Sequence, residues 1–273
     1  MKKGLFHVPG PTRIIIGTIL WVMALIWMFP IISALSKSLK FEGFNNYVNV
    51  LTKEIGGVYF IQAIFNSFVV ALIAIVLTCA VSALSGFCFS KINFVFKNVI
   101  FFSTLCLLAM PGVTILVPLF FTLKKIGLYN THFSVALPQV ALTLPFGVLM
   151  LRNSFNSIPN EYMDSGSIDG ANIFQIFSRI YLPLCKPALI SLAILQFVWS
   201  FQDFLLPMFL LTKNSLITAT VLINTFNRTK SPSPKDFGAF SAGLVLLAVP
   251  VLITFIIFNR YIKRGIIAGS IKG

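Results

Sequence analysis

The sequence predicts an all-α integral membrane protein with six transmembrane helices, and three observations carry that prediction. Of 273 residues, 57% are hydrophobic and 10% charged, with a mean hydropathy of +0.92; a soluble domain carries about 25% charged residues. Six apolar runs, at 14–35, 63–89, 99–123, 133–151, 184–211 and 240–261, match the roughly 20 residues that take a helix across about 30 Å of hydrocarbon. Each run is continuously apolar rather than alternating, which selects helices, because a helix satisfies its own backbone in lipid. The whole of 1–273 reads as a single membrane domain.

Taken in order, the first run follows Lys2, Lys3 and Arg13 and contains Pro30. Ala34-Leu35-Ser36 resembles a cleavage site, but the run before it is too long for the apolar region of a secretory signal, so retention as a helix is expected. An external loop over 36–62 holds a Gly56-Gly57 turn, and the second run ends near Phe89-Ser90-Lys91. The third run contains Pro111 and Pro118. It leads into a tight turn in which Gly127 ends a helix and Asn130 or Thr131 caps the next. Pro138 and Pro145 lie in the fourth run, Pro207 in the fifth and Pro250 in the sixth; all predict kinks or broken turns. A polar, proline-broken external loop covers 227–236. Small-xxx-small spacings at Ser82…Gly86 and Ala239…Gly243 allow close helix approach, either within this chain or on a dimer face, the former being preferred.

The net charge of +14 is spread through every loop, which disfavours nucleic acid and fits contact with anionic lipid. With the N-terminus inside, internal segments hold twelve basic residues and external ones nine, a bias that places both termini in the cytoplasm of a multi-pass cell-membrane protein. Cys79, Cys88, Cys106 and Cys185 form no C-x-x-C pair and read as packing residues. His7 and His132 are isolated, no metal-ligand spacing occurs, and no Ser/His/Asp or Cys/His set suggests an enzyme. The chain also lacks the G-x-x-x-x-G-K-[ST] phosphate loop.

One internal loop stands apart. Residues 161–183 hold three of the seven acidic residues between two membrane-length runs. Asn160 is placed to cap a helix whose first turn carries Glu161 and Asp164, where carboxylates complement the dipole. Ser165-Gly166-Ser167 gives a small, approachable surface. Asp169-Gly170 is a turn dipeptide, after which Asn172 starts a second helix. There Phe174, Phe177 and Tyr181 share an apolar face flanked by Ile173, Ile176 and Ile180. An amphipathic helix on the bilayer surface explains the aromatic stripe but not the acidic helix and the Asp-Gly break. A helix pair filling a groove on a soluble partner explains both.

The segment resembles the E-A-A loop of ATP-binding-cassette importer permeases, whose pattern is Glu-x-x-Glu-Ala-Ala-x-x-Asp-Gly-Ala followed by a helix closing in Leu-Pro. This chain has Glu161, Asp164, Ser165, Gly166, then Asp169-Gly170-Ala171, then Leu182-Pro183. Asp-Ser-Gly replaces Glu-Ala-Ala: the aspartate is shorter, and Gly166 costs about 1 kcal/mol of helix propensity relative to alanine. Phe197-Val-Trp199-Ser-Phe201-Gln202-Asp203-Phe204 is similar to the family's Trp-x-Trp-Asn-Asp-Phe stretch. The ending Arg260-Tyr261…Arg264-Gly265…Gly269…Lys272-Gly273 resembles that of the carbohydrate branch, as in the second permease of maltose-type systems.

The resemblance implies a type I importer permease fold with cytoplasmic coupling helices, the coupling loop occupying 158–183. It implies import of a sugar or oligosaccharide by alternating access. The implied partners are a sister permease, two ATPase subunits that bind the ATP and Mg, and an extracellular sugar-binding protein. This chain itself holds no cofactor. Glu161, Asp164, Ser165, Gly166, Asp169, Gly170, Ala171, Phe174 and Phe177 are the expected coupling residues. Polar groups within spans face a cavity or another helix, which makes Asn66, Gln196, Gln202 and Asp203, with Trp199 and Phe201 as stacking rings, the candidates for the substrate path; Gln139 is a further polar group in the spans. Counted along a continuous fifth helix, Asp203 falls roughly 28 Å from Leu184, near an external gate. Rival readings are import of a glycerol phosphodiester, polyamine, phosphate or sulfate, an ion-coupled secondary transporter, or a membrane scaffold. The secondary transporter predicts paired intramembrane carboxylates and repeats, against the lone Asp203.

Overall fold

The computed structural model describes the backbone of residues 10–228 and 234–270, and the side chains of 12–226 and 236–258. The residues of the sugar-type ending, from Arg260 onward, therefore fall outside the described side chains, as does most of the 227–236 loop. In chain order the elements are α1 (Gly10–Ser38), α2 (Asn45–Thr52), the strands β1 (Glu54–Ile55) and β2 (Val58–Tyr59), α3 (Phe60–Lys91), α4 (Lys97–Cys106), α5 (Leu116–Lys125), α6 (His132–Asn156), α7 (Glu161–Ile168), α8 (Ile173–Ile176), α9 (Leu182–Leu184), α10 (Lys186–Gln202), α11 (Leu205–Leu210), α12 (Ala219–Asn224) and α13 (Pro234–Ser270). The strands form one antiparallel hairpin, closed by Gly56 and Gly57 at φ +60° and +80°, the left-handed pair that a two-residue turn requires.

Among the described residues, four unbroken helical stretches are long and apolar enough to cross a membrane: Thr12–Ser38, Phe60–Lys91, His132–Asn156 and Asp236–Phe258. Pro30, Pro138, Pro145 and Pro250 sit inside those helices without ending them. Thr131 caps α6 as expected, its hydroxyl accepting from Ser134 N at 3.2 Å. Gly127, at φ +74°, follows the end of α5.

Two expected spans are broken. Over 99–123, the arms Lys97–Ala109 and Gly112–Lys125 meet at 95°. Met110 is extended (ψ 123°), as a residue before proline prefers, and Pro111 offers no N–H to carry the helix on. Each arm reaches only about 20 Å, too short to cross alone. In the run 184–211, α10 stops at Gln202 and Asp203 is extended (φ −64°, ψ 127°) before α11 begins. Asp203 is thus the C-cap of a 17-residue helix, not a residue within a longer one. The backbone carbonyl freed by the break is satisfied: Thr220 Oγ1 donates to Asp203 O at 2.8 Å.

Helices α3 and α6 lie against each other at close range. A Cβ on Gly86 would stand 3.0 Å from Arg152 N, and one on Gly147 would stand 2.3 Å from Ser82 Oγ. The Ser82…Gly86 spacing therefore serves this chain's own bundle, and Gly243 likewise packs on Ile223. This α3–α6 pair is the rigid base of the loop that follows α6.

Candidate functional site

Helix α7 ends in a Schellman motif: Ala171 N donates to Gly166 O at 3.0 Å and Gly170 N to Ser167 O at 3.1 Å. Gly170 takes φ +77°, so the turn dipeptide is used as the sequence predicts. Asn172 then starts α8 through a capping box, accepting from Gln175 N at 2.9 Å while Gln175 Oε1 accepts from Asn172 N at 2.8 Å. The Asn-x-x-Gln spacing carried that signal. After α8 one π turn, Phe177–Tyr181, leads through α9 toward α10, and the helix bends by 75° at the junction. Residues 161–181 are thus a two-helix elbow.

Asn160 does not cap α7 with its side chain. Its Oδ1 instead accepts from Lys91 Nζ at 2.7 Å, and the same ammonium donates to Ile158 O at 2.6 Å. Lys91 also lies 5.3 Å over the Tyr181 ring, and Tyr181 Oη donates to Pro159 O at 3.2 Å. The end of α3 therefore grips both ends of the elbow. Below this clamp, Phe87 meets Phe155, Phe177 and Tyr181 at ring distances of 5.7, 5.1 and 5.3 Å. Burial pushes the Tyr181 phenol above its ordinary value, and the charges of Asp164 and Glu161 act in the same direction, so the hydroxyl stays a neutral donor.

This packing splits the aromatic stripe. Phe177 is 7% exposed and Tyr181 0%, both inside the chain's own core, whereas Phe174 is 66% exposed. Phe177 corrects the expected docking face: it braces the elbow from within, because it turns toward Phe87 while Phe174 lies a turn farther out. Gly166 is also buried, where a Cβ would stand 3.0 Å from Ile180 Cδ1 and 3.2 Å from Ile176 Cγ1. Its lack of a side chain brings α7 onto the helix that follows. Glu161, Asp164, Ser165, Asp169 and Gly170 are exposed and Ala171 is half-buried. With them, Ile168 is 86% exposed, and Tyr162 and Ile173 are exposed too. An apolar patch fringed by carboxylates thus stands at the tip. Ile168 and Tyr162 were not singled out in the sequence; the signal was large apolar side chains on an otherwise polar helix.

A second feature is a cavity of about 300 Å³ where the broken third span meets α6, α10 and α11. Gln139 Nε2 donates to Asp203 Oδ2 at 2.8 Å, Ser200 Oγ donates to Gln139 Oε1 at 2.6 Å, and Leu206 N donates to Asp203 Oδ1 at 3.3 Å. Trp199 and Gln196 line the same space. Gln196 is 0% exposed, and among the described residues neither of its amide atoms has a hydrogen-bond partner. Of the path candidates, then, Gln196, Trp199 and Asp203 come together, joined by Gln139. The others lie elsewhere. Asn66 Nδ2 donates to Ser215 O and Ile217 O at 2.9 and 3.0 Å, tying α3 to the loop before α12. Phe201 is buried against Phe68 and Phe197, and Gln202 is exposed outside the cavity.

A polytopic helical membrane protein that carries such an anchored elbow, and a largely apolar cavity into which Gln139, Gln196, Ser200 and Asp203 converge, has the parts of a transport-system membrane component. Residues 79–267 match the family of binding-protein-dependent transport system inner membrane components, and the chain belongs to that family. Among its relatives, the trehalose/maltose transport system permease protein MalG of Thermococcus litoralis is 30% identical, covering 95% of this chain and 96% of that one. The arabinooligosaccharides transport system permease protein AraQ of Halalkalibacterium halodurans is 32% identical over 84% of this chain and 79% of its own. In three dimensions the fold is similar to a chain of a bacterial ABC transporter that imports the acidic polysaccharide alginate. The TM-score is 0.78 at 20% identity, covering 94% of this chain and 99% of that one.

Proposed function

We propose that this chain is one permease subunit of an ATP-driven importer for a sugar or oligosaccharide. The observation that carries the reading is the elbow: an exposed tip of Ile168, Phe174, Glu161 and Asp164 held by Lys91 and Tyr181 on the ends of the spans. The substrates named for its relatives, trehalose, maltose and arabinooligosaccharides, support a carbohydrate cargo. Both termini and the coupling loop 158–183 lie in the cytoplasm. The partners are two ATPase subunits that bind ATP and Mg, a sister permease and an external sugar-binding protein. Closure of the ATPase dimer carries the elbow with it, and the aromatic contacts at Phe87 and Phe155 pass that displacement to α3 and α6. Only contacts that differ between inward-open and outward-open states shift the balance.

On the same reading the Gln139–Asp203 cavity contributes to the sugar path. A fully buried amide without a partner costs about 1–3 kcal/mol, and a polyol hydroxyl or a water reaching Gln196 relieves that cost. Purification of the assembly from its host, reconstitution into vesicles and uptake of labelled solutes test the proposal. Copurification of an ATPase and ATP-dependent accumulation of a disaccharide or oligosaccharide are expected. Absence of any ATPase, or uptake confined to a glycerol phosphodiester, polyamine or phosphate, contradicts it.

A further inference from the structure

We infer that the mouth between α3, α4 and α6, on the same side of the membrane as the elbow, binds the phosphate headgroup of an anionic glycerophospholipid. A cavity of about 470 Å³ opens there, separate from the Gln139–Asp203 cavity. Lys97 and Arg152 both line it, and none of its lining residues is acidic. Two cations facing one space without a carboxylate create a site for an anion. Arg152 is held ready for one: its Nε donates to Phe89 O at 3.2 Å and its guanidinium lies 3.8 Å over the Phe101 ring. That arrangement fixes the plane and leaves the terminal nitrogens for a two-point contact with a phosphate. Lys97 Nζ has only a long bond, 3.4 Å, to Ser90 O. Asn93, Asn98 and Asn156 add neutral donors around the rim.

The surroundings choose between a lipid and a soluble anion. Val95, Phe96 and Val99 are exposed large apolar residues beside this polar cavity. A cationic pocket with an apolar collar at the end of membrane-spanning helices fits a headgroup whose acyl chains lie along the collar. A free phosphate has no use for the collar. On the orientation proposed above, that side is also the one on which anionic lipid attracts basic residues, at about 1 kcal/mol per lysine or arginine.

The purified assembly in detergent tests this by native mass spectrometry of retained lipid and by thermal unfolding with added phosphatidylglycerol, phosphatidylcholine or inorganic phosphate. The wild type is expected to retain phosphatidylglycerol and to be stabilised by it alone. Lys97→Gln should bind it roughly fivefold more weakly and Lys97→Glu more weakly still, with Lys124→Gln at the opposite end of the third span unchanged. The Lys97 variants leave the Arg152–Phe101 stack in place, so the readout does not depend on a destabilised fold. Equal phosphatidylglycerol binding by wild type and Lys97→Glu, or equal stabilisation by phosphatidylcholine or inorganic phosphate, overturns the assignment.

Discussion

Gly170→Pro is expected to reduce ATP-driven uptake by more than about tenfold while the chain still inserts into the membrane. Gly170 sits at φ +77°, and proline is fixed near −65°. Proline also lacks the N–H that donates to Ser167 O at 3.1 Å. Rotating the peptide to suit proline removes the Ala171-to-Gly166 bond as well, so α7 loses its C-terminal closure and α8 loses the direction set by its capping box. The cost is about 3 kcal/mol or more, concentrated in an exposed turn rather than in the spans. Gly170→Ala separates backbone from bulk: a Cβ there meets nothing within 4 Å, so only the left-handed backbone cost of about 1–2 kcal/mol applies. Uptake by Gly170→Ala should therefore fall between wild type and Gly170→Pro. Normal uptake by Gly170→Pro, at equal amounts in the membrane, would show that the elbow's shape does not matter to coupling.

Tyr181→Ala should uncouple the two activities: ATP hydrolysis persists and uptake is lost. The ring is 0% exposed, 5.3 Å from that of Phe87, under the Lys91 ammonium, with its hydroxyl on Pro159 O. Emptying such a site costs about 3–5 kcal/mol. The exposed tip survives, so a partner can still bind, but the elbow no longer moves as one body with α3. Tyr181→Phe keeps the ring and loses one hydrogen bond worth about 1 kcal/mol, so it should transport nearly as wild type. Measured together, ATPase rate and uptake distinguish a broken lever from a lost partner. Uptake by Tyr181→Ala at the Tyr181→Phe level would contradict the lever.

What the sequence revealed depended on how local the cause was. The unbroken spans were legible because continuous apolarity has one solution in lipid. The Asp169-Gly170 turn was legible because few residues other than glycine take that φ. Proline was ambiguous: Pro138 and Pro145 continue a helix, while Pro111, between an extended Met110 and Gly112, turns the chain through 95°. Whether a neighbour takes up a freed carbonyl, as Thr220 does for Asp203 O at the end of α10, is set by tertiary packing. The aromatic stripe showed the same limit. Its spacing marks one helix face but not whether that face meets this chain's core or a partner, and Phe177 falls on the core side. The Lys91–Asn160 bond joins residues 69 positions apart and has no local signature. Gln139 was visible as a polar group in a span, but its partnership with Asp203 rests on tertiary packing.

On the function proposed here, the elbow faces the cytoplasm and is covered by an ATPase. Ile168, 86% exposed at its tip, reports on both points. Ile168→Cys, in a background without the four native cysteines, can be probed with a membrane-impermeant maleimide. Labelling is expected in inside-out vesicles but not in intact cells, with protection when the ATPase subunits are assembled. Labelling from outside, or labelling unchanged by the assembled ATPase, would contradict it.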